Sequence, residues 1–127
     1  MKRLTARWVR KAEADLVGAR TLAVSDEPLF DLICFHCQQA AEKYLKALLQ
    51  DLDVEVPRTH KLGDLLLLLH AHDAKVKTLG RSLAALNRYA VDVRYPGEDA
   101  SKRQAAAALR HAEKVRGVLR EHLGLPP

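Results

Sequence analysis

Four side chains in the first half of the chain have the types and spacing that a phosphate-bearing ligand needs: His36, Gln39, Lys43 and Lys46. At about 100° per residue they fall on one helical stripe roughly 80° wide. The row offers an imidazole, an amide and two ammonium groups, which suit phosphate oxygens and the edge of a base. The plainer reading of the same stripe is a solvated face held by i,i+4 pairs such as Glu42 with Lys46. Thr59-His60-Lys61 stands where the pattern starts another helix. Free backbone N–H groups there, with His60 and Lys61, can take an anion, or Thr59 can simply cap the helix. Arg94, ahead of Tyr95-Pro96, closes a further helix. It can reach either a phosphate or the last carbonyls of that helix. These seven residues make a nucleotide-binding set, provided the fold gathers them on one surface.

Other candidate chemistry is thinner. Cys34 and Cys37 resemble half of a metal site, but structural zinc usually takes four ligands. The chain has only two cysteines. Both lie on the apolar side of a helix, so they are expected to be buried and inert, with no metal and no other cofactor. His70 and His72 are two apart and point to different sides of a helix. Arg116 and His122 lie near the chain end with Gly117 after the arginine. No Ser/His/Asp set, phosphate-binding loop or dinucleotide fingerprint occurs, and no catalytic residue is assigned.

The elements that must position these groups read as helical almost throughout. Trp8, Val9, Ala12, Leu16, Ala19, Leu22 and Ala23 mark a helix over 4–24. Ser25-Asp26-Glu27-Pro28 breaks it, with Pro28 as the first residue of the next. Residues 29–52 carry a wide apolar face from Phe30 to Leu52 and should lie mid-bundle. A connector leads to Thr59 as N-cap of a helix over 60–74. Its run Leu65 to Leu69 covers all sides of the axis and should be largely enclosed. A fourth helix spans 78–93, and Ser101 caps a fifth that ends near Leu123, before Gly124 and two prolines. Short connectors favour antiparallel neighbours, so the expected fold is all-α: a five-helix up-and-down antiparallel bundle, one domain over 1–127.

Composition agrees. The 127 residues are 48% hydrophobic and 29% charged. That is enough for a core and a wet surface. No apolar run approaches the ~20 residues that span a bilayer, so no membrane role is expected. With two cysteines and no apolar leader segment, a reducing, cytoplasmic setting is the default. The net charge of +5 is uneven. Residues 1–11 hold Lys2, Arg3, Arg7, Arg10 and Lys11 without an acid, whereas 12–60 carry an acidic excess. The basic excess reads as solvated surface or as a footprint for a polyanion.

The order of these residues resembles the HEPN family. Trp8, Ala12, Asp15-Leu16 and Ala19 match its opening helix. The run from Phe35-His36-Cys37-Gln38-Gln39-Ala40 to Leu49 is similar to its most recognisable helix. Thr59-His60-Lys61-Leu62 with Leu65 follows as in the family. Tyr89 with Val93-Arg94-Tyr95-Pro96 matches the arginine-tyrosine-proline turn of one branch. The resemblance implies a five-helix bundle, a homodimer, and nucleotide (ATP or GTP) binding or pairing with a minimal nucleotidyltransferase (MNT), often as toxin and antitoxin. Many HEPN proteins are metal-independent ribonucleases that use an arginine and a histidine four to six residues later. Here Arg94 takes the arginine's place, while 99–101 are Asp, Ala and Ser. The expected function is thus a non-catalytic or weakly catalytic HEPN protein that binds nucleotide, an MNT partner, or both. The alternatives are a ribonuclease acting on RNA with a divergent site, and a ligand-free helical interaction protein.

Overall fold

The computed structural model describes residues 1–72, 74–90 and 95–127. Five helices order the chain: α1 (Arg3–Ala23), α2 (Phe30–Asp51), α3 (Leu62–Ala71), α4 (Gly80–Asn87) and α5 (Lys102–His122). Short 3-10 turns, Lys77–Leu79 and Arg88–Ala90, flank α4. There is no strand among the described residues. The expected all-α bundle is the observed one.

The bundle is built around α2. Thirteen of its residues are buried, which makes it the central rod. Helices α1 and α5 pack along it, and α3 and α4 close the remaining side. Leu16 of α1, Tyr44, Leu45 and Leu49 of α2, Leu83 and Leu86 of α4, and Leu119 of α5 fill the interior. Cys34 and Cys37 are also fully buried there, and burial pushes their thiols up to about 11 and about 12. Thiolate chemistry is therefore suppressed at neutral pH.

The helix ends show local sequence and tertiary contact sharing control. Ser101 caps α5 as expected, through a reciprocal capping box with Gln104. At the other end the φ of Gly124 is +69°. Leu125 donates back to the carbonyl of Arg120, closing a Schellman turn. The end of α2 is similar, with Asp53 at a φ of +60°. An aspartate is among the few side chains that tolerate this left-handed region. Lys2 supports that turn by an ion pair to Asp53 and a hydrogen bond to the Asp51 carbonyl.

Four expectations need correction. Pro28 precedes α2 rather than opening it; Leu29 is the N-cap and Phe30 the first helical residue. Thr59 does not cap α3. Its hydroxyl accepts from the Lys61 N–H in a tight turn, and the first N–H of α3, on Leu62, donates instead to Asn87 Oδ1 at the end of α4. Helix α3 is shorter than 60–74 because residue 60 is held in the connector, where Gln38 Nε2 donates to its carbonyl. The leucine run is only partly enclosed: Leu62, Leu65 and Leu69 face the core, but Leu67 is 69% exposed. A short helix on a bundle's flank has just one inward face.

Leu45→Ala should lower unfolding free energy by about 2–5 kcal/mol, since it empties a close-packed interior. Leu67→Ala should stay within about 0.5 kcal/mol of the parent. Urea denaturation of the two variants side by side tests this assignment of faces.

Candidate functional site

The stripe on α2 lies between two neighbours, α1 on one side and the α2–α3 connector on the other. Two carboxylates organise it. Asp15 of α1 receives Lys43 Nζ at 2.5 Å on one oxygen and sits 2.9 Å from His36 Nδ1 on the other. Glu42 of α2 is 3% exposed and receives Lys46 Nζ at 3.1 Å and His60 Nδ1 at 3.0 Å. Gln38, also buried, donates to Glu42 at 3.3 Å and itself accepts from Gln39 at 2.8 Å. The Lys46 ammonium further lies 5.6 Å from the ring centre of Trp8 on α1. That is a cation–π contact.

Carboxylates only accept, so each imidazole donates through Nδ1 and keeps Nε2 for another partner. The two rings differ in access. The His60 side chain is 67% exposed, that of His36 33%. This arrangement can orient a ring toward a ligand's phosphate or hydroxyl. It also neutralises the cations: Lys43 and Lys46 are each matched by a carboxylate, so an arriving anion meets a paired charge. The plain reading, an i,i+4 pair of Glu42 with Lys46, holds as well, but the pair is buried rather than solvated.

Of the seven candidates, the fold brings His36 and Lys43 together on Asp15, and Lys46 and His60 together on Glu42. Gln39 joins the second group through Gln38. Lys61 is exposed, and its side chain makes no bond with another described residue. Arg94 lies outside the described residues. Three participants escape the spacing argument as site residues: Asp15, Gln38 and Trp8. Asp15 is 21 and 28 positions from its two partners, so no local pattern announces it. Its signals in the sequence are its position two turns after Trp8, on the same helical side, and its place in the family-like opening helix.

Arg116 of α5 is paired with α1. It forms a two-pronged pair with Glu13, and Arg120 joins Glu13 to the Tyr44 hydroxyl. Burial alone would raise the Glu13 pKa, but hydrogen bonds from Arg116 and Tyr44 and the two guanidinium charges outweigh it and hold the carboxyl below its ordinary range. His122 donates to the Val118 carbonyl of its own helix. Among the described residues Arg116 and His122 are thus bonded to other groups and not to one another.

A model of the HEPN domain matches residues 5–122. The chain belongs to the HEPN family. This HEPN chain is similar in structure to TT1696 from Thermus thermophilus, with 26% identity, a TM-score of 0.81, and 95% of this chain and 98% of that one covered. It is likewise similar to ST0689, described as an archaeal HEPN homologue, with 27% identity, a TM-score of 0.77, and 96% and 98% covered. No curated protein gives a significant match. No described helix is long and apolar enough to cross a membrane.

In this HEPN bundle the buried Glu42–Lys46 pair should reveal itself by asymmetry. Lys46→Met leaves the carboxylate buried with less compensation and should cost about 3 kcal/mol or more, whereas the double variant Glu42→Gln/Lys46→Met should recover much of that loss. A double-mutant cycle by chemical denaturation measures both.

Proposed function

We propose that the protein is a HEPN binding module rather than an enzyme: it takes a nucleotide such as ATP or GTP on the α2 face, alone or together with an MNT-type nucleotidyltransferase in a two-component, toxin–antitoxin-like unit. The observation that supports this reading is the gathering of His36, Lys43, Lys46 and His60, drawn from α2 and the connector, around two carboxylates with Trp8 alongside. Asp15 and Glu42 hold the side chains in defined positions before a ligand arrives. The entropy of ordering them is then already spent in folding. A phosphate shares Lys43 with Asp15, so binding is modest and salt-sensitive. Gln39, Lys61 and Arg94 complete the proposed set. A homodimer is part of the proposal, because exposed leucines such as Leu67 and Leu32 offer apolar surface for self-association.

Lys43→Ala with Arg94→Ala should weaken ATP or GTP binding at least about tenfold in calorimetric titration, the lower bound if only one of the two removed cations makes a charge-assisted contact. The far-ultraviolet dichroism should be unchanged and light scattering should give twice the monomer mass. Unchanged affinity in a folded variant would remove the site.

One observation favours a second reading, a metal-independent ribonuclease: His60 is an exposed imidazole backed by a buried carboxylate, the arrangement a general base requires. On that reading His60→Ala lowers cleavage of a labelled RNA by about 100-fold or more. On the binding-module reading neither the parent nor the variant cuts the RNA.

A further inference from the structure

The chain carries two contrasting sets of cations. Lys2, Arg20, Lys43, Lys46, Arg116 and Arg120 each meet a carboxylate of the protein. Arg3, Arg7, Arg10 and Lys11, in contrast, are all exposed and make no hydrogen bond or ion pair with any described residue. The latter four share the outer side of the first turns of α1. The first acid of the chain is Glu13. Their charge is therefore uncompensated locally, at the end of α1 where the helix dipole is also positive.

This cationic face is not featureless. A shallow depression of about 180 Å³ is lined by Leu4, Arg7, Trp8 and Lys11. Next to it, Arg7 and Lys11 also line a second depression with Arg10 and Ala14. An indole thus forms part of a recess whose walls are an arginine and a lysine. Trp8 is partly buried, with the Lys46 ammonium 5.6 Å from its ring centre, so its position is fixed from beneath.

We infer that this face of α1 is a binding track for a single-stranded polynucleotide, with Arg3, Arg7 and Arg10 or Lys11 on successive phosphates and Trp8 receiving an unstacked base. Steps of three or four residues place the cations about 4.5–6 Å apart along the axis. That spacing lets long arginine side chains follow the backbone of a flexible strand. Charge along a track combined with an aromatic platform is the general solution for binding strands without reading their sequence. A duplex keeps its bases stacked and offers nothing to the recess. An anionic membrane is the weaker match, because interfacial helices bury an apolar face. The apolar face of α1, with Val9, Ala12, Leu16 and Ala19, is already inside the bundle. The track shares Trp8 with the nucleotide site proposed on α2 but uses none of that site's cations, and it stands whether or not that site exists.

Trp8 is the sole tryptophan, so the chain carries its own reporter. Titration with short oligo-dT and oligo-rU should quench its fluorescence. The logarithm of affinity should fall with the logarithm of salt with a slope of about −2, as expected for about three phosphates on a single strand. Oligo-dT and oligo-rU responding alike would show that backbone and base face are read; a response to one alone would assign the track to that sugar. Arg7→Gln/Arg10→Gln should weaken strand binding at least about tenfold while leaving any ATP affinity as in the parent. Arg103→Gln/Arg110→Gln, which removes two exposed cations from α5, should leave strand binding intact. Equal losses in both double variants would show attraction by net charge only and overturn the track. Binding to phosphatidylserine vesicles or to polyglutamate, with no response to either oligonucleotide, would overturn it in favour of a membrane or an acidic protein.

Discussion

A charged side chain buried on the central helix constrains how the chain packs around it. Glu42 sits on the most enclosed helix, almost out of reach of water. An isolated carboxylate there would be severely destabilising, so its environment has to supply donors. Three do so: the ammonium of Lys46 one turn along, the amide of Gln38 one turn back, and the imidazole of His60 from the connector. The first two are local. The third fixes where the chain runs after α2, and with the Gln38 bond to the His60 carbonyl it fastens the connector before α3 begins. Helix α3 starts late for this reason, and its first N–H finds its acceptor on α4 rather than on Thr59.

The same logic explains the polar stripe as a whole. Once α1 and α5 cover two sides of α2, the polar residues of its stripe face a band between α1 and the connector. Asp15 enters that band from α1 and takes both His36 and Lys43. The result is a face rich in ligand-type groups but nearly neutral, in contrast to the outer side of α1, where cations stand without acids. Carboxylate-paired cations and unpaired cations therefore occupy different faces of the molecule.

Much of the architecture is legible in the residues. The 3.6-residue spacing of Val9, Ala12, Leu16 and Ala19 marks the inner side of α1, and the breadth of apolar cover from Phe30 to Leu52 marks α2 as central. Ser101 and Gly124 are visible as cap and stop because their effects are local. Pattern and structure diverge where a local signal competes with a distant partner. Thr59 has the chemistry of a cap, but Asn87 holds the N–H that a cap would serve. The leucine run reads as an enclosed rod because the pattern shows that all sides are apolar, whereas only packing shows which side is covered.

The candidate site divides in the same way. Residue type and helical period by themselves determine that His36, Gln39, Lys43 and Lys46 share one side of one helix, and that Glu42 can reach Lys46, because both facts depend only on a rise and a turn per residue. They also determine that the first eleven residues carry basic charge alone. Only the tertiary structure decided what those groups meet. Asp15 and His60 reach the stripe across 21 and 18 positions of sequence, distances over which the chain's path is set by the packing of apolar faces and not by neighbouring residues. Whether a cation is spoken for by a carboxylate or left to solvent is a property of that packing, and no spacing rule along the chain contains it.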